Sequence, residues 1–385
     1  MMKHGFAALA VAGLLVPAAQ AQDWEYLLPE SELTLAIDQT DYRSGELAIF
    51  ANGDLAFVDT NPSGDEDTIW YVDLSGATPD ITPIAAADEL LEAIDLANGA
   101  VAAPTEINVQ AMGVNTNGVL IVATDGASPE TAAVFAIDPA NSNAISVLSC
   151  DTGSGSPVEG INGFAVVGDT ACVLVESTFG AAEDAVLTLD TSTLVNTGAA
   201  PVTTLIGQAD LLTATGETDA NNMSLSTAAA LDANTLLVVN SGSAASNDNI
   251  ISVDLTTGAG SLYVAATDIE ADLGATDVGF VAITTGDGKV FLSNGYGSGT
   301  SDDGIVVLSN VVPPNAEATV ELESDIAEQV TGATGGSLYL ASDALVYNPL
   351  TGYVITPSDS NGSVEGLIQK SFGGASSVGS WEQYK

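Results

Sequence analysis

The chain has 385 residues, 51 of them Asp or Glu against five Lys or Arg, which gives a formal charge of −46 and a pI near 4.1. A polyanion of this kind repels nucleic-acid phosphates and anionic lipid headgroups, so neither is expected as a partner. Yet 46% of the residues are apolar and only 15% charged, which excludes a disordered acidic tail and leaves room for two ordinary domains or one large all-β domain.

In chain order, the first element reads as a secretory signal. Met1 to Lys3 form a basic start, Phe6 to Val16 an apolar stretch, and Ala19-Gln20-Ala21 a small-x-small cleavage site. Residues 1–21 are therefore the expected signal peptide, and the mature chain begins at Gln22, exported to the periplasm or the cell exterior. No later run reaches the roughly 18 apolar residues that span a bilayer. Losing the signal removes His4, the single histidine, and leaves Arg43, Lys289, Lys370 and Lys385 as the basic residues. Without histidine, Ser-His-Asp and Cys-His nucleophiles and His-bound zinc or haem are ruled out. What remains is oxygen chemistry, and the metal that suits it is calcium.

The rest of the chain repeats six times. Each unit opens on a strand: ELAIFA (46–51), VQAMGV (109–114), GFAVVG (163–168), SLSTAAAL (224–231), GFVAIT (279–284) and SLYLAS (337–342). A tight turn such as Asn52-Gly53-Asp54 leads to a second strand that closes on a polar residue: Asp59, Thr124, Glu176, Asn240, Asn294 or Ser358, at spacings of 65, 52, 64, 54 and 64. A third strand closes 14 residues later at Asp73, Asp138, Asp190 and Asp254, and 15 later at Ser309. ITPIA, VTTLIG, SLYVAA and TVELE supply fourth strands. Segments with helical spacing follow: DELLEAIDL (88–96), ADLLTAT (209–215), DIEADLG (268–274) and DIAEQVTG (325–332). The alternating spacing gives the odd-numbered units the longer connections and hints at an ancestral doublet.

Six units of four antiparallel strands predict an all-β fold, a six-bladed β-propeller occupying 22–372, with a Gly/Ser-rich tail at 373–385. The sixth unit lacks a fourth strand, and ELTLAID (32–38) is expected to supply it, closing the ring and covering an edge. Cys150 and Cys172 lie in strand-like runs (AISVLSC and ACVLVES). In an exported chain they read as a disulfide, with two buried thiols as the alternative. No CxxC motif or local positive charge supports a redox pair.

The hairpins, reading G-x-hydrophobic-x-hydrophobic-x-polar, then loop, then hydrophobic-x-hydrophobic-D, resemble six-bladed propellers of the NHL-repeat and gluconolactonase/senescence-marker groups. Where NHL repeats carry an Asn-Arg-Ile-like entry to the third strand, this chain has DEDTI, ETAAV, AEDAV, NDNII and SDDGI, acidic where that family is basic. Resemblance to the gluconolactonase group implies a calcium ion at the channel mouth, held from successive inner strands. Glu46, Asn108, Asn162, Asn222 and Asp277 would be its ligands here, unless they are ordinary strand-entry and turn residues. Independently, DSNGSVE places Asp359, Asn361, Ser363 and Glu365 at period two, a second candidate calcium loop. The loops DTNPSGDED (59–67) and SNGYGSGTSDD (293–303) match no spaced calcium motif and read as solvated turns.

No catalytic constellation emerges. The leading expectation is an exported binding or surface-interaction module stabilised by calcium. The alternatives are a calcium-dependent hydrolase or lactonase using Glu46, Asn162, Asn222 and Asp277, and a subunit of an extracellular layer or filament. So dense a surface charge suits saline or calcium-rich surroundings, as in a marine or halophilic setting.

Overall fold

The computed structural model describes residues 23–37, 44–59, 67–76, 78–98, 107–124, 132–150, 158, 160–176, 183–194, 196, 198–241, 248–275, 278–295, 304–333, 344–358 and 366–372. The expected signal segment, Asp277, the run 337–342, the loop carrying Asp359, Asn361 and Glu365, and the expected tail 373–385 lie outside these residues.

The chain is a six-bladed β-propeller of four-stranded antiparallel sheets. Blade 1 comprises β2 (Ser44–Ile49), β3 (Leu55–Asp59), β4 (Thr68–Asp73) and β5 (Asp80–Ala86). Blade 2 comprises β6 (Val109–Val114), β7 (Leu120–Thr124), β8 (Ala133–Asp138) and β9 (Ala144–Cys150). Blade 3 runs from β10 (Ile161–Val167) through β11 (Thr170–Val175) and β12 (Ala185–Asp190) to β13 (Val202–Gly207). Blade 4 follows as β14 (Leu225–Asp232), β15 (Thr235–Asn240), β16 (Asn249–Asp254) and β17 (Gly260–Val264), and blade 5 as β18 (Phe280–Gly286), β19 (Lys289–Asn294), β20 (Gly304–Val312) and β21 (Asn315–Leu322). Blade 6 is assembled from both ends of the chain: β22 (Val346–Asn348), β23 (Tyr353–Ser358) and β24 (Gly366–Ser371), with β1 (Glu25–Pro29) as its outer strand. The inner strands β2, β6, β10, β14, β18 and β22 neighbour one another in that cyclic order, which closes the ring.

A propeller blade is packed on both faces, and the second strands show it. Every residue of LAFVD and LIVAT is buried. Alternate side chains serve opposite junctions, with Leu55 and Phe57 entering the core toward blade 6 and Ala56 and Val58 the core toward blade 2. Each of the six junctions has its own apolar cluster. The closing polar residues Asp59, Thr124, Glu176, Asn240, Asn294 and Ser358 are all buried as well. Two of them bond the start of the inner strand: Asn240 Oδ1 accepts from Ser224 N at 2.7 Å, and Asn294 Oδ1 from Gly279 N at 2.8 Å. The side chain thereby satisfies the backbone where the inner strand begins, as a buried N–H requires.

Helices α1 (Glu30–Ile37), α2 (Ala87–Asn98), α3 (Gln208–Thr215), α4 (Ala266–Leu273) and α5 (Glu323–Thr331) each follow an outer strand, and the last four fall on the segments with helical spacing. Each helix rests on the outer strand of the next blade: α1 on β5, α2 on β9, α3 on β17, α4 on β21 and α5 on β1. Exposed strand edges are covered in this way. On β9 the segment 198–200 adds to the cover, with Ala199 bridging Ser149. At the turn-bearing ends, side-chain bonds to backbone carbonyls join blades 2 and 3 (Asn115 Nδ2 to Thr191 O, 3.0 Å), 4 and 5 (Thr285 Oγ1 to Ala230 O), and 6 and 1 (Asn348 Nδ2 to Gly53 O, 3.2 Å). The first two of these junctions are the short connections in the repeat spacing. No helix among the described residues is long and apolar enough to cross a membrane.

Three expectations change. The ring is closed by the N-terminus, but through EYLLP rather than ELTLAID. Residues 30–37 are helix α1, which buries Leu33 and Ile37, four apart, and leaves Leu35 83% exposed. Second, the described inner strand of blade 6 is the three-residue β22, later in the chain than SLYLAS. Third, Cys150 and Cys172 form no disulfide. Cys150 sits in the core between blades 1 and 2 and Cys172 in the core between blades 3 and 4. Burial pushes the Cys172 thiol up to about 12.

The seam between blades 5 and 6 gathers both lysines among the described residues. Lys370 pairs with Glu321 at 2.8 Å and lies 5.2 Å from the centre of the Phe372 ring, while Lys289 Nζ donates to Phe372 O at 2.6 Å. Trp24, 1% exposed, meets Phe372 edge to face, and its backbone N–H donates to Gln329 Oε1 of α5 at 3.0 Å.

Candidate functional site at the channel mouth

The inner strands surround an axial cavity of about 230 Å³. They approach closely because small residues face their neighbours. A Cβ on Gly163 would lie 2.5 Å from Ser226 O, and one on Gly286 would lie 2.3 Å from the Tyr347 ring. Gly163→Ala is accordingly expected to destabilise the fold by about 1–3 kcal/mol through overpacking, measurable by urea unfolding.

Pairing with the second strand slips near the start of five inner strands: between Ser44 and Leu47, Val109 and Ala111, Ile161 and Gly163, Leu225 and Thr227, and Phe280 and Ala282. The residues skipped include Glu46, Gln110, Asn162, Ser226 and Val281. A bulge of this kind re-aims a side chain, and the first four all line the cavity. The mouth is thus a ring of one carboxylate, two amides and a hydroxyl, contributed by successive blades.

Of the sequence candidates, Glu46 and Asn162 reach this ring. Glu46 is 9% exposed. Both amide protons of Asn162 are engaged, by Glu176 Oε2 at 2.7 Å and Leu225 O of the next blade at 2.6 Å. Asn108 precedes β6, is exposed and does not line the cavity. Asn222 belongs to a short 3₁₀ turn capped by Asp219 and bonds Glu217 Oε2 at 3.2 Å, also off the cavity. Sequence reasoning missed Gln110 and Ser226. Each lies 14 residues before its unit's closing polar residue, as Asn162 does, and Glu46 lies 13 before. Asn108 and Asn222 are farther upstream, so a fixed offset would have separated the two sets.

The ring brings one carboxylate and one strand-entry amide oxygen from the expected calcium ligands, against the six to eight oxygens calcium takes. Among the described residues no three acidic, Cys or His side chains cluster as a metal site. Deeper in the channel, burial and a bond with Asp287 push the Tyr347 hydroxyl well above its ordinary value.

At the blade 1 rim, Asp59 and Asp67 form a buried carboxylate pair. Asp67 Oδ2 accepts from Val109 N of blade 2 at 2.9 Å. Burial outweighs that bond and, with the charge of Asp59, raises Asp67 to about 6.

No family model matches the sequence, and no curated protein does. Among solved structures the chain is similar to a protein classed as a gluconolactonase, with 12% identity over 92% of each chain and a TM-score of 0.49. It is also similar to the calcium-binding protein regucalcin from Agrobacterium tumefaciens, with 10% identity over 86% of this chain and 90% of that one and a TM-score of 0.49. A third similarity is to the β-propeller domain of the Trilobed protease from Pyrococcus furiosus, with 11% identity over 86% and 82% and a TM-score of 0.45. At these identities the likeness is one of fold alone.

Proposed function

We propose that the protein is an exported binding module that takes a small hydrogen-bonding ligand at the channel mouth and is stabilised by calcium. The observation that carries this reading is the set of bulges that places Glu46, Gln110, Asn162 and Ser226 on the wall of one cavity. Four polar side chains are held there on strands rather than loops, a rigid platform suited to recognition. Export rests on the N-terminal signal pattern, and it agrees with a charge suited to saline surroundings.

Two measurements test the reading. Melting curves with CaCl2 and with NaCl at matched ionic strength should show a rise specific to calcium, because a ligand bound only by the folded state stabilises it by mass action. That rise should shrink in Glu46→Gln. Equal rises with both salts would indicate screening of self-repulsion and remove calcium from the proposal. Separately, native mass spectrometry of the protein from its own source should find a bound polar small molecule that Gln110→Ala and Ser226→Ala lose. A molecule retained in both variants would place binding elsewhere.

A further inference from the structure

A second concavity, of about 400 Å³, opens at the other end of the blades from the mouth, between blade 1 and blade 2. Its floor and one wall are Tyr71 of β4 with Thr82, Pro83 and Ile84 of β5. The facing wall is the β8–β9 connection, Pro139, Ala140 and Asn143. Tyr71 is fixed in place. Its hydroxyl donates to Asp54 and its ring meets Phe50 edge to face at 5.2 Å, while burial and that hydrogen bond push the hydroxyl up to about 12. The phenol therefore offers a ring surface rather than a titratable group.

The strand register puts negative charge beside this apolar surface. Tyr71 is paired with Thr82, and two residues on, on the same sheet face, Asp73 is paired directly with Asp80. Like charges directly opposite each other destabilise a sheet. Asp73 is nonetheless held ionised, because Ser75 bonds its carboxylate and keeps it below the ordinary carboxylate range. Asp73 and Asp54 also act electrostatically on Tyr71. An aromatic and proline-lined crevice, with an opposed carboxylate pair two residues along the same sheet face from the paired Tyr71 and Thr82, is complementary to a cation that carries an apolar stem. The charge of the whole chain draws such a ligand in.

We propose that this crevice binds an organic cation, a guanidinium or ammonium group on an aliphatic stem, with the stem against Tyr71, Pro83 and Pro139 and the head between Asp73 and Asp80. The chemistry is shared by free amines and by basic side chains of a protein partner, so two probes are used: agmatine, and an acetylated Ala-Arg-Ala amide. Titration followed by NMR or calorimetry at physiological NaCl should give saturable binding of one probe molecule per chain. If agmatine binds, the site reads the head group itself; if only the peptide binds, it reads the residue within a chain. Either outcome supports the site.

Asp73→Asn with Asp80→Asn should weaken binding about tenfold, and Tyr71→Leu should abolish it while Tyr71→Phe retains it. Because Tyr71→Leu also thins the core, the Asp variants, at the sheet surface, carry the decision. Binding of neither probe at that salt, or binding unchanged by the paired Asp substitutions, overturns the proposal. So does uptake of several molecules per chain without saturation, which describes a diffuse counter-ion cloud.

Discussion

Trp24→Ala is expected to lower folding stability by about 3–5 kcal/mol, the range for removing a buried Trp from a core, and to loosen the ring at one place. Trp24 precedes the outer strand of blade 6 and fills the core between blades 5 and 6 beside Phe291, Val354 and Ile368. Its loss leaves β1 with its pairing to β24, the contacts of α1 and α5 and the backbone bond to Gln329, but without the side chain that fills the core toward blade 5. Urea unfolding measures the total. Hydrogen exchange locates it, since the amides of β1 and β24 should exchange faster than those of blades 2 and 3. Uniform acceleration around the ring would show that Trp24 supports the fold without specifically holding the seam. Trp24→Phe should cost less, because the indole N–H has no acceptor among the described residues and phenylalanine removes that buried donor.

Asp67→Asn is expected to stabilise the protein at neutral pH by about 3 kcal/mol at most, and to have little effect near pH 4. Burial pushes the carboxyl up to about 6 in the fold from its ordinary value of 3.8. Between these values the folded chain holds a proton that the unfolded chain has released, so stability falls as pH rises from about 4 to about 6. Above that window the penalty is complete, and asparagine, still able to accept from Val109 N, escapes it. Urea midpoints of both proteins at intervals from pH 4 to 7 test the sign. A difference independent of pH would mean that Asp67 acts through packing or geometry and not through its charge.

The repeat was legible because a strand buried on both faces leaves a continuous apolar run, and because each run ends on a buried polar residue. Asp59 through Ser358 mark those ends. The helices were legible from Leu90 and Ile94 in α2 or Ile269 in α4, buried at helical positions. ELTLAI misled because Leu33, Leu35 and Ile37 fit a period of two as well as Leu33 and Ile37 fit a helical turn. Pro29 before it and acids at Glu30 and Glu32 in the first turn were the local signals for a helix. The cysteines looked pairable in a linear reading, yet which junction a strand residue faces depends on its blade and its parity. The mouth was half legible: residue type found Glu46 and Asn162, whereas Gln110 and Ser226 owe their place to bulges that no residue type announces.

The closing strand pair also determines how the ring would answer to force. In β1 and β24, Glu25 lies opposite Gln369 and Pro29 opposite Gly366, so the chain enters β1 and leaves β24 at the same end of the ladder. A pull on the two ends would load the rungs one at a time, starting at Glu25, in the manner of a zipper. The same strands drawn apart lengthwise would share the load across all rungs at once. If such a protein were tethered through both ends, blade 6 would peel first and act as a mechanical fuse, leaving blades 1 to 5 intact behind it.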